Sequence, residues 1–288
     1  GHLSEPIKIE RSVRQGCPMS MHLFVIAIDP LLTELNKVLN RSVSPCNIIR
    51  AYADDITFTA SNLNQLQEIK QVLDTQLTKS GGKLNEKKTK GMIIGPTYNL
   101  ETPIWITKTH NIKILGVLYH NNIAETIREN WNLVTNSIRR VLAENKQRQF
   151  NLLQRAIFIN MFALSKAWYL SQILPMPKLI GKKLKSVTGW FLWHGKIFRV
   201  PRNQITLQKN KGGINLIDPQ MKADSLFIYQ TLKQLSGQGD KFVKCFLETW
   251  INTNKIDNPP DLRKLPSFVP HVKNVIQELS YTPKKIID

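Results

Sequence analysis

The stretch from residue 48 to residue 60 constrains the fold of this chain more than any other. Apolar and polar residues alternate there on both sides of two adjacent acids, Asp54 and Asp55. Alternation with a period of two residues is typical of half-buried β-strands. The apolar residues that would share one face of each strand are Ile49, Ala51 and Ala53 on the way in, and Ile56 and Phe58 on the way out. The pattern therefore predicts a β-hairpin whose strands meet at the two acids.

Two aspartates are a poor choice for a tight hairpin turn, where residues that tolerate positive φ are favoured. Adjacent carboxylates repel, and each raises the free-energy cost of ionising the other. A bound divalent cation would offset that cost, because Mg²⁺ takes carboxylate and phosphate oxygens as ligands. Asp54 and Asp55 are thus candidate metal ligands. The alternative interpretation is a solvated, Asp-rich turn.

Charge is distributed unevenly along the 288 residues. The chain has 40 Lys and Arg against 21 Asp and Glu, a formal net charge of +19. Residues 1–120 contain 14 basic and 10 acidic side chains, whereas residues 121–288 contain 26 and 11. Such an excess indicates a polyanionic partner, most often nucleic acid. An acidic membrane surface or solubility alone would also explain it, so the charge indicates a class of partner and not a chemistry.

The composition of the chain limits the cellular compartments in which we expect the protein. Hydrophobic residues make up 42% of the chain, which excludes a mainly disordered protein. No apolar run approaches the length of a membrane span, and the first residues lack the pattern of a signal peptide. Three scattered cysteines are too few for a disulfide framework or a zinc knuckle. We therefore expect an intracellular protein of the nucleus or the cytoplasm, not secreted and without a membrane partner.

Helical and extended patterns alternate over the first 120 residues. Apolar residues recur at helical spacing over 23–39 and again over 64–80, where Gly81-Gly82 predicts a stop. Short apolar runs at 91–95 and 112–119 predict strands. Residues 1–120 therefore predict an α+β arrangement, with helices packed on an antiparallel sheet.

From residue 123 onward the pattern is helical. Helices are predicted over 123–145, 152–174, 178–193, 220–235 and 240–251, and the Pro-rich tail from residue 259 is expected to be loosely held.

One part of this helical region interleaves basic and aromatic side chains, a composition that suits phosphate contact and base stacking. Its candidate nucleic-acid contacts are Lys182, Lys183, Lys185, Trp193, Lys196 and Arg199. The sequence supports an alternative equally well, in which Trp190 and Phe191 belong to the core and the lysines are solvated.

Three motifs follow one another over residues 11–119. They are Arg14-Gln15-Gly16-Cys17-Pro18-Met19-Ser20, then Ala51-Tyr52-Ala53-Asp54-Asp55, then Ser80-Gly81-Gly82-Lys83-Leu84-Asn85 with Lys88-Thr89. In order and spacing they resemble successive motifs of the LINE-type, non-LTR retrotransposon reverse transcriptases. A further stretch, Ile114-Leu115-Gly116-Val117, is similar to the primer-grip region of that family. Two more, Trp193-His194-Gly195 and Gly212-Gly213-Ile214, are similar to the segment after its thumb. Each motif alone is weak evidence for this resemblance, whereas the ordered set over residues 11–119 is strong evidence for it.

The resemblance implies a partial right-hand polymerase palm over 1–120, an all-α, thumb-like region over 121–200, and a post-thumb helical region with a loose tail over 201–288. The implied function is RNA-directed DNA synthesis, in which a primer 3′-hydroxyl attacks the α-phosphate of a dNTP and pyrophosphate leaves. RNA template, DNA primer and dNTPs are the implied partners. Two Mg²⁺ ions, for which Mn²⁺ could substitute, would activate the hydroxyl and stabilise the leaving oxygens.

The same resemblance assigns roles to individual residues. Asp54 would be the principal metal ligand of the hairpin and Asp55 its partner. Tyr52 would pack near the primer terminus. The nucleotide and template side would be lined by Gln15 and Gly16, and pyrophosphate would be neutralised or protonated by Lys88.

One family residue has no match in the sequence. The other essential Asp of the family lies on a strand upstream of the Arg14-Gln15-Gly16 motif, after the fingers, and neither Glu5 nor Glu10 matches it. We therefore expect a fragment of a longer polymerase or a decayed copy, inactive without the upstream fingers and palm segment. Two other readings stay open: a non-catalytic nucleic-acid-binding remnant of a retroelement, and a basic helical domain in which the acidic hairpin is only a turn.

Overall fold

The computed structural model describes residues 16–40, 48–94, 102–196 and 200–234. The backbone divides into two compact units, Gly1–Ile114 and Leu115–Asp288. The domain boundaries expected at residues 120 and 200 stay predictions. The helix predicted over 240–251 and the Pro-rich tail lie outside the described residues.

Unit 1 combines two long helices with short strands. The helices are α1, Pro18–Asn40, and α2, Leu63–Ser80. The strands are β1, Ile49–Tyr52, β2, Asp55–Phe58, β3, Lys90–Gly91, β4, Thr107–Lys108, and β5, Asn111–Ile114. The α+β class is confirmed. The expected single antiparallel sheet is not, because the described strands form separate two-stranded sheets, and the pair β3–β4 is parallel.

Helix α2 begins and ends where the sequence signals predict. At its start the Oδ1 of Asn62 accepts a hydrogen bond from the N–H of Gln65 at 2.8 Å. That bond satisfies an amide that has no partner within the helix. At its end Gly81 takes a φ of 68°, the left-handed conformation that glycine adopts without a Cβ clash.

An apolar cluster holds the elements of unit 1 together. Its buried members are Leu31, Leu35, Val38, Leu39, Ile69, Leu73, Trp105 and Ile106. Against it pack Ile49, Ile56 and Phe58 of the first hairpin. The predicted apolar face of the hairpin is confirmed for these three residues, whereas Ala51 and Ala53 are exposed.

Helix α1 requires one correction. Its 23 residues include a window of mean hydropathy 1.2, so by length and composition alone it could cross a membrane. The prediction that no segment approaches such a span is therefore wrong. Its N-terminal half exposes apolar side chains such as Met21 and Ile26, whereas Leu35 and Leu39 of its C-terminal half are buried in the unit 1 core. Within the described structure 11% of the apolar window is buried, so the C-terminal half of α1 packs in the core and the N-terminal half does not.

Unit 2 is helical apart from strand β6, Val117–His120, within the described part of the chain. Its helices are α3, Ile123–Glu144, α4, Leu152–Phe158, α5, Ser165–Ser171, α6, Lys178–Leu192, α7, Arg202–Ile205, and α8, Pro219–Lys233. A π-helical turn, Ile159–Ala163, joins α4 to α5, and Lys209–Lys211 forms a short 3-10 helix.

Two sequence predictions for this region differ from the structure. The helix predicted over 152–174 is interrupted by the π-helical turn and ends three residues early, at Ser171. The strand predicted over 112–119 is two strands, β5 and β6, because Leu115 and Gly116 both take positive φ, 46° and 86°, and reverse the chain.

The core of unit 2 is built around α3. Trp131 is fully buried, and its Nε1 donates a hydrogen bond to the carbonyl of Pro175 at 2.9 Å. Ile138 and Leu142 continue the same buried face. Burial of these large side chains is the main favourable term in the stability of the unit.

Two asparagines fix non-helical segments to the helices of unit 2. Asn130 of α3 bonds both backbone groups of Leu118 in β6. Asn160 of the π-helical turn donates to the carbonyl of Asn215 at 2.9 Å and accepts from the N–H of Ile217 at 3.0 Å. Backbone groups that have no strand partner are thereby satisfied by side chains.

Candidate functional site

The acidic pair lies at the tip of the β1–β2 hairpin. Tyr52 is paired with Asp55, so Ala53 and Asp54 form the two-residue turn. The prediction that both acids form the turn is therefore corrected, since Asp55 is the first residue of β2. Ala53 takes a φ of 53°, the left-handed conformation that such a turn requires, at a cost of about 1 kcal/mol for a residue with a Cβ.

The base of the hairpin is closed by Thr59. Its N–H donates to the carbonyl of Ile48 at 2.9 Å, and its Oγ1 accepts from the N–H of Ile48 at 2.8 Å. Because the apolar face of the strands also packs on the unit 1 core, the tip is presented on a fixed support.

The carboxylates of Asp54 and Asp55 are exposed and, among the described residues, make no hydrogen bond or ion pair. Their oxygens are the donors that a hard divalent cation prefers. The described residues contain no group of three or more His, Cys, Asp or Glu that could hold a metal ion. The pair therefore fits such a cation in donor chemistry and leaves most of its coordination sphere to other ligands.

The structure brings Tyr52 together with the two acids and places the other predicted site residues elsewhere in unit 1. The Tyr52 side chain is 69% exposed at the tip. Gly16 precedes α1 with a φ of 84°, and a Cβ on it would meet no atom within 4 Å. Gln15 lies outside the described residues. Lys88 is exposed in the loop after α2, where its N–H donates to the carbonyl of Asn85 at 3.0 Å.

The loop that carries Lys88 is tied to α2 by a contact that the sequence analysis missed. Lys70 of α2 donates to Asp74 at 2.9 Å and to Glu86 of the loop at 3.0 Å. The side-chain hydrogen bonds to Asp74 and Glu86 raise the pKa of Lys70. The spacing of Lys70 and Asp74 on one helix face could have indicated the first bond, but nothing in the sequence indicates the second.

In unit 2 the predicted nucleic-acid contacts on α6 have different environments. Lys182 and Lys183 are exposed. Lys185 forms an ion pair with Asp218 at 2.7 Å, so its ammonium is already engaged. Burial tends to raise the pKa of Asp218, but the hydrogen bond from Lys185 and those from two backbone amides lower it overall.

The aromatic residues at the end of α6 also divide. Phe191 is buried in the unit 2 core, in agreement with the alternative interpretation, whereas Trp190 is 40% exposed. Trp193 is partly buried and packs against the same core. Lys196 is exposed, and Arg199 lies outside the described residues.

Lys196 and Trp193 line a cleft together with Arg155 and His194, two residues that the sequence analysis did not single out as contacts. The Trp193-His194-Gly195 stretch was a signal for His194. Nothing in the sequence distinguishes a buried arginine such as Arg155 from an arginine that is exposed to solvent.

Comparisons with known proteins agree with the motif pattern. A sequence model of the family described as "Reverse transcriptase (RNA-dependent DNA polymerase)" matches residues 1–119. A curated relative, "Transposon TX1 uncharacterized 149 kDa protein" of Xenopus laevis, is 29% identical over 207 residues. The match covers 67% of this chain and 16% of the relative, so the chain spans about a sixth of that protein's length.

The reverse transcriptase match contains the whole acidic hairpin, Gly16 and Lys88. Polymerases of this family generally use divalent metal ions and work on a nucleic-acid template and primer. The relative is named as a transposon protein, which agrees with the resemblance of the motif order over residues 11–119 to retrotransposon reverse transcriptases. Residues 1–119 are therefore similar to the reverse transcriptase (RNA-dependent DNA polymerase) family, and a longer part of the chain is similar to a transposon protein.

Proposed function

We propose that the chain supplies the metal-binding hairpin of an RNA-directed DNA polymerase, which extends a DNA primer on an RNA template. One observation carries the proposal. Two adjacent carboxylates without partners among the described residues, Asp54 and Asp55, stand exposed on a hairpin whose other face is fixed to a core. Exposed carboxylate oxygens on a fixed support are ligands that a divalent cation prefers.

Each residue of the site has a separate task. Asp54 and Asp55 present carboxylate oxygens to the cation, and Tyr52 beside them presents an exposed ring to the primer terminus. Gly16 leaves room for a close approach of the nucleotide, and Lys88 offers a positive charge to pyrophosphate. Two Mg²⁺ ions, when bound, would lower the cost of the charge that develops on the attacking and leaving oxygens.

Two carboxylates do not complete a two-metal site. By the resemblance, a further aspartate lies upstream of the motif that contains Gly16, and neither Glu5 nor Glu10 matches its position. We therefore propose that the complete site uses a further aspartate besides Asp54 and Asp55, supplied by a fingers and palm segment.

A second function is favoured by charge. Residues 121–288 contain 26 basic and 11 acidic side chains, which suits a chain that binds nucleic acid without catalysis. Binding that depends on salt and is unchanged in Asp54→Asn would be common to both functions. Only the polymerase predicts synthesis that Asp54→Asn abolishes.

Mg²⁺-dependent primer extension on an RNA template tests the proposal. The chain, supplemented with the upstream segment, is compared with Asp54→Asn and with Asp29→Asn, which replaces an exposed aspartate of α1. We expect extension with the parent and with Asp29→Asn, and none with Asp54→Asn. Extension by Asp54→Asn at the parent rate would overturn the proposal.

A further inference from the structure

A positively charged cleft lies between the end of α6 and the start of α4. It has a volume of about 550 Å³. Its polar lining comprises Arg155, Trp193, His194 and Lys196, and its apolar wall includes Phe150 and Leu152. No carboxylate is part of this lining among the described residues.

Arg155 is the buried charge of the cleft. It is 2% exposed. Its Nη1 donates to the carbonyl of Phe191 at 2.8 Å and its Nε to the carbonyl of Phe150 at 3.0 Å. Within the described part of the chain it pairs with no carboxylate. Because a buried cation without a counter-ion is costly, burial lowers the pKa of Arg155. An anion in the cleft would stabilise this charge.

Two exposed lysines add to the same positive field. The Nζ of Lys146 stands 4.6 Å from the ring centre of Trp190, beside the cleft, and Lys196 lines it. In the described ranges neither lysine forms an ion pair. Partial desolvation, together with the charges of Arg155, Lys196 and Lys146, lowers the pKa of His194. Arg155, His194 and Lys196 line the cleft together. A Cβ on Gly195 would lie 3.1 Å from the Nε1 of Trp190, so the ring that Lys146 contacts lies beside the cleft.

A sharp turn sets the rim of the cleft. His194 and Gly195 take φ values of 55° and 74°, and the N–H of Gly195 returns to the carbonyl of Trp190 at 2.8 Å. At this turn the Nε1 of Trp193 is buried and has no acceptor among the described residues. An indole N–H can only donate. Trp193, which lines the cleft, thus has a buried donor with no partner among the described residues.

We propose that this cleft binds a phosphodiester group of single-stranded nucleic acid. Lys196 contacts phosphate oxygens, and Arg155 and Lys146 contribute charge. A phosphate with several acceptor oxygens matches several donors, and Phe150 and Leu152 provide an apolar wall for the attached sugar or base. The inference rests on the proposed function only for the class of ligand, since the site lies wholly within unit 2.

Fluorescence anisotropy with a labelled twelve-residue oligouridylate and the whole 288-residue chain tests this assignment. Lys196→Gln and Lys146→Gln change exposed residues and should leave the fold intact. Each is expected to weaken binding about tenfold and to reduce the salt slope by about 1. Lys166→Gln, an exposed lysine of α5, is the matched control and should stay within about twofold of the parent. Equal affinities for all three variants would overturn the proposal.

Two further arms locate and identify the ligand. An oligomer with uncharged methylphosphonate links should bind the parent and Lys196→Gln equally, and free inorganic phosphate should compete only weakly. Full competition by free phosphate at the oligomer's own concentration would overturn recognition of a strand.

The two proposals fail separately. Asp54→Asn should bind the oligomer with parent affinity, because Asp54 belongs to unit 1. If the lysine variants bind normally, this site is wrong and the polymerase proposal is untouched. If they weaken binding while Asp54→Asn still supports primer extension, the polymerase proposal is wrong and this site stands.

Discussion

Asn130 and Leu118 exchange a pair of hydrogen bonds of the kind that neighbouring β-strands make. The Oδ1 of Asn130 accepts from the N–H of Leu118 at 2.9 Å, and its Nδ2 donates to the carbonyl of Leu118 at 2.6 Å. Nearby, the Oγ1 of Thr126 accepts from the N–H of His120 at 2.9 Å. Side chains of α3 thus act in place of a further strand along β6.

Asn130→Ala should destabilise the chain by about 2–4 kcal/mol, because it leaves both backbone groups of Leu118 without partners in a poorly solvated place. Urea unfolding followed by circular dichroism measures the free energy of unfolding. Asn136→Ala, an exposed asparagine of the same helix, should change it by no more than about 0.5 kcal/mol. Equal effects of the two substitutions would refute the strand-like role of Asn130.

Asp218→Asn should destabilise the chain at neutral pH and lose that effect in acid. The pKa of Asp218 is lowered in the folded chain, since the bonds from Lys185 and two amides outweigh the opposing effect of burial. A group whose folded pKa lies below its unfolded pKa stabilises the fold above the unfolded value, and this contribution disappears as pH falls through the folded value. The asparagine retains an oxygen that can cap α8, so only the charge is removed.

Urea unfolding of the parent and Asp218→Asn at pH 7 and pH 3 measures this effect. The difference in free energy should be about 1 kcal/mol at pH 7 and should become smaller at pH 3. A difference that is equal at both pH values would contradict an ion pair between Lys185 and Asp218.

His194 should titrate below the ordinary histidine pKa, because partial desolvation and three cations disfavour its charged form. Removing one of those cations, in Lys196→Gln or Lys146→Gln, should raise the pKa of His194. An NMR titration of the histidine ring protons measures this, with His194→Gln to assign the signal. An unchanged pKa in both lysine variants would mean that the cations do not face His194.

Strand-period patterns predicted the hairpin and the core-facing side of Ile49, Ile56 and Phe58, which are half-buried. They did not predict the exposure of Ala51 and Ala53. The position of the hairpin turn was wrong by one residue. The turn depends on the left-handed backbone of Ala53, and a sequence pattern does not show a positive φ at alanine. The same applies to Leu115, whose positive φ divides one predicted strand into two.

Contacts between distant residues were beyond the sequence. Asn160 interrupts an apolar run, and nothing in the sequence indicates its role. In the structure its side chain hydrogen-bonds residues 215 and 217 and so fixes them to the π-helical turn. Lys185 looked free to bind phosphate, and its partner Asp218 lies on another helix. Buried Arg155 cannot be told from a solvated arginine, because its environment is made by carbonyls from other elements. Local patterns indicate elements, and tertiary contacts decide which side chains remain available.

The central claim is that the tip of the β1–β2 hairpin binds a divalent metal ion. Paramagnetic broadening by Mn²⁺ tests this claim on the chain itself. We predict that Mn²⁺ broadens the amide NMR signals of Tyr52, Asp54 and Asp55, and that excess Mg²⁺ restores them. Asp54→Asn should abolish the broadening, whereas Asp29→Asn should keep it. Hairpin signals that stay sharp in the parent, or that broaden equally in Asp54→Asn, would contradict the account.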